Sequence, residues 1–408
     1  PPGEVVLHTL RSVHGPVQGF GTVGGKPVAL TFTSGVYKQA IRSLVAFQRL
    51  AENRVDSAAS FQDAMRLFTG NENWFYEDSR SIGWLQSGRF PVRAKGVDLD
   101  VPTWGTGAWD WQGFDPATFS YRALPASHNP RAVDPAQGYL VSWNNRAAPG
   151  WRAAPGVWTY GSSQRSSLLE APLKGRIVKG KVGLADVVKV NAGAATRDLR
   201  GYDVLPQLLA VVGTPSAADR PVVDALRAWQ RSGAHRRSVS GGSDDDQSAA
   251  VLAFDAWWPK VVSGVFEPVL GKDVLAQVGR DELLPLDAAP TAQGFFGGWQ
   301  SQVKSDLRRV LGQTVRGGQS RTYCGGGDRA RCRAVLLGGL RSAVAQVAKS
   351  QGTTDLRQWR KPVLCPDAPG TCDQIVPTVA GAVATPPQPW QNRGSYQQAV
   401  SVTARVPR

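Results

Sequence analysis

Two adjacent asparagines follow a β-prone run and are well suited to stabilise a negatively charged reaction intermediate. The run occupies residues 138–142 and leads into Trp143-Asn144-Asn145. Asparagine is a poor strand former because its side chain competes for backbone hydrogen bonds. The pair therefore indicates either a turn, in which asparagine supplies a left-handed residue, or an amide N–H directed at a developing oxyanion. The short segment alone favours the turn, whereas the surrounding sequence favours the oxyanion role.

The composition is that of an ordinary globular protein. The chain has 408 residues, of which 42% are hydrophobic and 19% are charged, so it can bury a large core. No apolar run approaches the roughly 20 residues of a membrane-spanning helix, which predicts a protein without a membrane span. The first residue is Pro1 and the single methionine is Met65, so we expect a processed subunit or a fragment.

The net charge of +15 raises the question of a nucleic-acid partner. The basic residues are dispersed, and the densest clusters, at 231–237 and 329–333, are short. The sequence contains no zinc finger, RNA-recognition signature or basic helix. We therefore expect a solvated basic surface and no nucleic-acid partner.

The four cysteines form two local pairs, Cys324 with Cys332 and Cys365 with Cys372. Neither pair has the two-residue spacing of a zinc knuckle, and no histidine lies near them. Both connecting loops are short and rich in glycine or proline, so local closure is the simplest of the three possible pairings. Two disulfides would indicate an oxidising compartment, and four reduced thiols are the alternative.

The pattern of secondary structure places strands early, helices in the middle and one strand at the end. Residues 4–33 alternate like strands, 37–50 and about 57–68 have helical periodicity, and 73–76 and 82–85 are predicted to pair around a turn. Residues 86–135 are rich in loops. We therefore divide the chain into a core-sheet and active-site portion at 1–204, a mostly helical region at 205–385, and a closing strand within 386–408, at 394–402.

Several short motifs match one known family in their order and spacing. They are Val-His-Gly-Pro-Val at 13–17, Asn-Trp-Phe-Tyr-Glu-Asp at 73–78, Gly-Arg-Phe-Pro-Val-Arg at 88–93, Gly-Thr-Gly-Ala-Trp-Asp-Trp-Gln-Gly at 105–113, and the segment 129–145. Together with Asn-Arg-Gly-Ser-Tyr at 392–396, they resemble the β subunit of the penicillin acylase (penicillin amidase) family of N-terminal-nucleophile hydrolases. The resemblance implies an α+β fold with four αββα layers, here truncated and carrying a helical insertion.

The resemblance also implies roles for individual residues. Asn144 corresponds to the family's oxyanion-hole amide, and Arg165 corresponds to the arginine that orients this asparagine and the catalytic amine. Asn145 is expected to hold the loop, and Trp143 to contact substrate. Glu72 falls where the family has an apolar acyl-pocket residue. Because a buried carboxylate is costly, either the pocket accepts a polar or basic acyl group or Glu72 turns away, and we expect the second.

In this family the nucleophile is a serine that becomes the first residue of the β subunit, and its own α-amino group acts as the base. Pro1 is not that serine, so we expect a truncated β subunit that is inactive alone. An α subunit from the same precursor is the implied partner. The family's calcium ligands lie mainly upstream, and one further family aspartate would fall near Pro155, where this chain has none. No cofactor is therefore assigned, and a structural calcium is left open only for the complete protein.

The resemblance therefore predicts an amide hydrolase that cleaves a linear acyl-amide bond of the penicillin, cephalosporin or N-acyl type. The substrate would be a small molecule, and the enzyme would be secreted or periplasmic. Two alternatives stay open. One is an N-acyl-homoserine lactone acylase of the same fold, and the other is a non-catalytic binding homologue.

Overall fold

The computed structural model describes residues 8–99, 101–151, 163–237, 248–278, 299–317, 319–365, 372–375, 388–392 and 398–402. The chain forms two compact units. The first comprises 1–142, 146–158 and 401–408, and the second comprises 143–145 and 159–400. The segment boundaries predicted at residues 204 and 385 both lie inside the second unit, so the compact units do not coincide with the predicted segments.

Small antiparallel sheets form the framework of the first unit. The strands are β1 (Arg11–Ser12), β2 (Gly15–Val23), β3 (Lys26–Thr31), β4 (Asn73–Glu77), β5 (Ile82–Gln86) and β6 (Arg131–Val133). Their order is β1-β2-β3 in one sheet and β4-β5-β6 in the other. The predicted hairpin is confirmed, because β4 and β5 pair antiparallel with Trp74 opposite Leu85.

Two helices pack in the first unit, and both are shorter than their sequence pattern predicts. They are α1 (Ser43–Ala51) and α2 (Ala58–Met65). The start of α2 is fixed by a reciprocal cap, in which the Ser57 Oγ accepts from the Ser60 N–H at 3.2 Å and the Ser60 Oγ accepts from the Ser57 N–H at 3.0 Å. The Gln62 side chain then donates to backbone carbonyls of β5 and β6, at 3.0 Å each. This contact fixes α2 against the second sheet.

The second unit is mostly helical, as predicted for the described part of 205–349. Its helices are α3 (Ser166–Ile177), α4 (Leu184–Thr196), α5 (Leu199–Asp203), α6 (Leu205–Val212), α7 (Arg220–Arg231), α8 (Ser248–Leu270), α9 (Lys272–Val278), α10 (Gln300–Val310) and α11 (Arg329–Gln351). Helix α8 is buried on most of its circumference, as expected for a central core helix. The Trp257 Nε1 donates to the Leu336 carbonyl of α11 at 3.0 Å, which satisfies its polar atom inside the core.

A charged cluster lies inside this helical unit. Its members are Asp198, Arg200, Arg236, Asp255, Lys361 and Asp373. Arg236 is central, because its fully buried guanidinium donates to the carboxylates of Asp198, Asp255 and Asp373. Three carboxylates and three cations balance, which is the condition for burying such groups.

Both predicted disulfides are confirmed. Cys324 pairs with Cys332, and Cys365 pairs with Cys372. The first pair is fully buried beside the core of the second unit.

The αββα layering concerns how the sheets and helices stack, and it stays a prediction.

The closing strand is only partly accounted for. Among the described residues of 386–408, the strand is β8 (Gln388–Pro389), which pairs antiparallel with β7 (Gln374–Ile375). The strand predicted over 394–402 is wrong for 398–402, which has no ladder partner in the described chain. Alternating residues suggest a strand, but only a hydrogen-bonded neighbour makes one. Residues 393–397 lie outside the described residues.

Candidate active site

The loop that carries the two asparagines is held by contacts within the second unit. Trp143 packs against a small buried cluster that contains Leu168 of α3 and Leu199 of α5. The Trp143 N–H donates to the Asn145 Oδ1 at 2.9 Å, which closes a tight turn. This bond is the loop-holding contact expected of Asn145.

Asn144 occupies the left-handed region, with φ of 61°. Asparagine tolerates this conformation better than most residues, so the turn interpretation is correct for the backbone. The β-prone run before the asparagines is not a strand, because residues 138–142 have no strand assignment in the structure. The β-prone composition of the run is thus overridden by its surroundings.

The Asn144 side chain meets Arg165, as the sequence predicts. The Arg165 Nη2 donates to the Asn144 Oδ1 at 3.0 Å. A guanidinium has only donors, so the amide oxygen must face Arg165 and the amide nitrogen must face away. Asn144 is exposed, and its Nδ2 has no acceptor among the described residues. The turn and the arginine together present an amide N–H that is free to bind a ligand.

Arg165 is positioned by the residues that precede helix α3. Ser163 is fully buried, and its backbone N–H donates to the Ser301 Oγ at 3.1 Å. Its hydroxyl donates to the Asp203 Oδ2 at 2.5 Å, and the Lys304 Nζ contacts the same carboxylate at 2.7 and 2.8 Å. The chain is therefore anchored to α5 and α10 two residues before Arg165.

Arg165 is a buried cation that contacts the Trp143 ring. Arg165 is 6% exposed, and burial lowers its pKa to about 10, so it stays cationic at neutral pH. Its guanidinium carbon lies 4.8 Å from the centre of the Trp143 ring, which is a cation–π contact. A cation that donates to the amide oxygen also polarises the amide, which strengthens its N–H as a donor.

The two residues predicted to bind substrate lie in different compact units. Trp143 stands beside Asn144 in the second unit, with its ring contacting Arg165. Glu72 belongs to the first unit, where its backbone carbonyl accepts from the Ser87 N–H at 2.8 Å. Its side chain is exposed, so its carboxylate has no large desolvation cost within that unit. Both substrate-binding roles stay predictions.

The described residues do not fit a resident metal. They contain no group of three carboxylate, histidine or cysteine side chains arranged to hold an ion. Pro155, where the family would place a further calcium ligand, lies outside the described residues. No helix in the described ranges is long and apolar enough to cross a membrane.

The family is decided by comparison with known sequences. The profile of the penicillin amidase family matches residues 2–395. The chain belongs to this family. It is 29% identical over 161 residues to penicillin G acylase of Escherichia coli, which covers 38% of this chain and 18% of that protein. It is 40% identical over 110 residues to an acyl-homoserine lactone acylase of Pseudomonas fluorescens, which covers 26% of this chain and 12% of that protein.

A solved structure that is similar to this chain shows its fold. The thermostable penicillin G acylase from Alcaligenes faecalis matches with a TM-score of 0.65 and 22% identity. The match covers 86% of this chain and 59% of the solved chain. The chain thus spans less than two thirds of each of these relatives.

Two features of the site have no signal in the sequence. The anchor formed by Ser163, Asp203 and Lys304 joins residues 40 and 101 positions apart, so no local spacing predicts it. The direction of the Asn144–Arg165 hydrogen bond also depends on the folded loop. The family motif identifies both residues, but only their geometry shows which amide atom is occupied.

Proposed function

We propose that this chain contributes the oxyanion-stabilising part of an acylase that hydrolyses a linear acyl-amide bond. One observation supports this above others: Arg165 engages the Asn144 amide oxygen at 3.0 Å and leaves the amide N–H exposed. An N–H held in this way is the donor that the tetrahedral intermediate of acyl transfer requires.

The reaction follows from the family's chemistry. The nucleophile is a serine whose α-amine removes the proton from its own hydroxyl, and we place it in sequence outside these 408 residues. The serine oxygen attacks the acyl carbon, and the carbonyl oxygen gains negative charge beside the Asn144 Nδ2. Collapse of the intermediate expels the amine, which takes up the proton, and water then releases the acid. Arg165 holds the Asn144 side-chain amide in place both when the acyl-enzyme forms and when water releases the acid.

The substrate class rests on the relatives. A small acyl-amide of the penicillin, cephalosporin or N-acyl type is our first proposal, with an α subunit from the same precursor as the partner. N-acyl-homoserine lactones are the second candidate, favoured by the 40% identity to an acylase named for them. Two disulfides are compatible with a secreted or periplasmic protein.

The experiment uses the complete processed protein. Two substrates with the same acyl chain are compared, an acyl p-nitroanilide and an N-acyl-homoserine lactone, while mass spectrometry detects an acyl-enzyme. Hydrolysis with a transient acyl adduct supports the acylase, and the preferred amine decides between the two substrate classes. Saturable binding of both compounds without hydrolysis or adduct would overturn the proposal in favour of a non-catalytic binding homologue.

A further inference from the structure

A cleft of about 760 Å³ lies within the first unit. It runs beside strand β3 and is walled by aromatic side chains, chiefly Trp104, Trp109, Trp111 and Phe114. Trp104 and Trp109 are 56% and 38% exposed, although tryptophan is usually well buried. Clefts of this volume that combine aromatic walls with a few polar groups are typical of small-molecule sites.

Arg93 gives the cleft a cation that has no carboxylate partner among the described residues. Its guanidinium carbon lies 5.5 Å from the centre of the Trp111 ring. Its Nε is buried, and no hydrogen-bond acceptor reaches it among the described residues. Burial lowers the pKa of Arg93, which is the sign of a guanidinium that has lost water without gaining an anion. Such a group favours an anionic ligand, and its planar fork suits a carboxylate.

His14 and Asp110 are paired with each other in another part of the wall. The His14 Nε2 lies 2.8 Å from the Asp110 Oδ1, and the imidazole stacks on Phe114 with ring centres 5.7 Å apart. These residues come from two separate family motifs, 96 positions apart. The Asp110 carboxylate is therefore engaged by His14, and within the described chain no ion pair joins it to Arg93.

Two further charged residues belong to the lining. Arg89 is a second guanidinium, stacked 4.6 Å from the centre of the Tyr121 ring. Asp98 is the second carboxylate, and it has an interaction of its own. Arg93 is therefore the cation of the lining that combines a buried nitrogen with an aromatic neighbour and lacks an acceptor in the described chain.

Gly105 keeps one edge of this wall open. A Cβ at this position would lie 3.3 Å from the His14 Nδ1 and 3.4 Å from its Cε1. The backbone of Gly105 does not need a positive φ, so an alanine fits the backbone, but its Cβ would press on the His14 ring, which must shift by a few tenths of an ångström.

We propose that this cleft binds a small aromatic carboxylate, whose carboxyl group is held by Arg93 and whose ring packs against the tryptophans. This inference does not depend on Asn144 or Arg165, so it can fail while the acylase proposal stands. The ligand class follows from Arg93, a planar cation with a buried nitrogen that no acceptor reaches in the described chain, placed among aromatic walls. An aromatic amine would meet a cation, and an aliphatic acid would leave the tryptophans uncovered.

The test titrates the complete processed protein with benzoate and with benzamide, its neutral counterpart, by ligand-observed NMR and calorimetry. A ligand this small is expected to bind with a Kd on the order of millimolar. Arg93→Met should weaken benzoate about tenfold or more, and Arg93→Lys should weaken it less, because the charge stays while the fork is lost. Arg80→Met is the matched control, since Arg80 lies in an exposed turn of the same unit and should leave Kd unchanged.

A second pair of variants tests the shape of the cleft without changing any charge. Gly105→Ala should weaken benzoate several-fold, while Gly19→Ala, whose added Cβ meets no atom within 4 Å, should not. Equal binding of benzamide and benzoate, an unchanged Kd in Arg93→Met, or no binding at about 50 mM benzoate would each overturn the proposal. Circular dichroism and the melting temperature verify that every variant is folded.

Discussion

Arg165 and Asn144 are joined by a hydrogen bond that can run in only one direction. The Arg165 Nη2 donates to the Asn144 Oδ1 at 3.0 Å, and a guanidinium has no atom that could accept in return. The bond thereby fixes the orientation of an amide that could otherwise rotate by half a turn. The N–H that stays exposed is the hydrogen-bond donor that the proposed oxyanion role requires.

We predict that Asn144→Asp and Asn144→Ala impair turnover for the same reason but differ in stability. Both lose the N–H donor, so kcat of the complete protein should fall by about 10²–10³, with KM little changed. Aspartate adds a negative charge near the developing oxyanion, so its kcat should be at least as low. The aspartate variant keeps an oxygen that can accept from Arg165. Its melting temperature should therefore lie closer to that of wild type than the melting temperature of the alanine variant does.

The comparison separates catalysis from folding. Steady-state kinetics give kcat and KM, and thermal unfolding of the same samples gives stability. Asn145→Ala is the neighbouring control, because Asn145 accepts from the Trp143 N–H and serves the loop. An Asn144→Asp protein that turns over like wild type would contradict the assignment of Asn144 as the oxyanion donor.

Arg165→Met should act through Asn144 and not independently of it. Without the donor the amide is free to rotate, so kcat should fall by about tenfold to a hundredfold while KM changes little. Arg165→Lys keeps a charge but loses the planar contact with Trp143, and it should lie between the two. The deciding measurement is the double variant, Asn144→Ala with Arg165→Met. Its kcat should be close to that of Asn144→Ala alone, and fully multiplicative losses would show that Arg165 has a separate role.

The sequence predicts the elements of the site better than their geometry. Asn144, Arg165 and both disulfides follow from motifs and local spacing, and the structure brings Asn144 and Arg165 together. The β-prone run before Asn144 does not form a strand, because strand formation depends on a neighbour that can come from anywhere in the chain. Local patterns are therefore a sound basis for naming residues and a weak one for assigning sheet pairing.

Buried charge is the other feature that the sequence does not reveal. Arg236 lies in a short basic run that predicts a solvated surface, yet its side chain is fully buried between three carboxylates. Its partners Asp198, Asp255 and Asp373 are 38, 19 and 137 positions away. No periodic pattern connects residues so far apart, and only the packing of the helices identifies them as one cluster.

Removing Arg236 should therefore be strongly destabilising. Arg236→Met leaves buried carboxylates short of a partner, which typically costs about 3–5 kcal/mol. Burial opposes ionisation of Asp255, but the charges of Arg236 and Lys361 outweigh it and hold the pKa of Asp255 well below its usual value. The folded cluster thus contributes stability above the unfolded pKa of about 3.9, and this stability is lost as the pH falls further.

Urea unfolding at pH 7 measures the cost of Arg236→Met, and a surface pair supplies the control. Arg357 donates to Asp355 at 2.9 and 3.0 Å, but its side chain is 90% exposed. Arg357→Met should leave the unfolding midpoint close to that of wild type, because exposed ion pairs contribute little. Similar midpoints for the two variants would contradict the structural importance of the buried cluster.

His235 should make the protein less stable in mild acid. The Arg197 Nε, which can only donate, lies 3.3 Å from the His235 Nε2, so that ring nitrogen accepts and the proton sits on Nδ1, 2.6 Å from the Thr196 Oγ1. Burial, with a smaller contribution from the Arg197 charge, lowers the pKa of His235 to about 4. An unfolded histidine titrates near 6.5, so between about pH 6.5 and 4 the unfolded chain binds a proton that the folded chain refuses. Stability therefore falls as the pH drops through this window.

His235→Gln removes the titrating group, so its melting temperature should fall less than that of wild type between pH 7.5 and pH 5.0. His128→Gln, in an exposed turn, is the control and should follow wild type. Equal losses in the wild-type and His235→Gln proteins would contradict the assignment of this acid sensitivity to the buried His235.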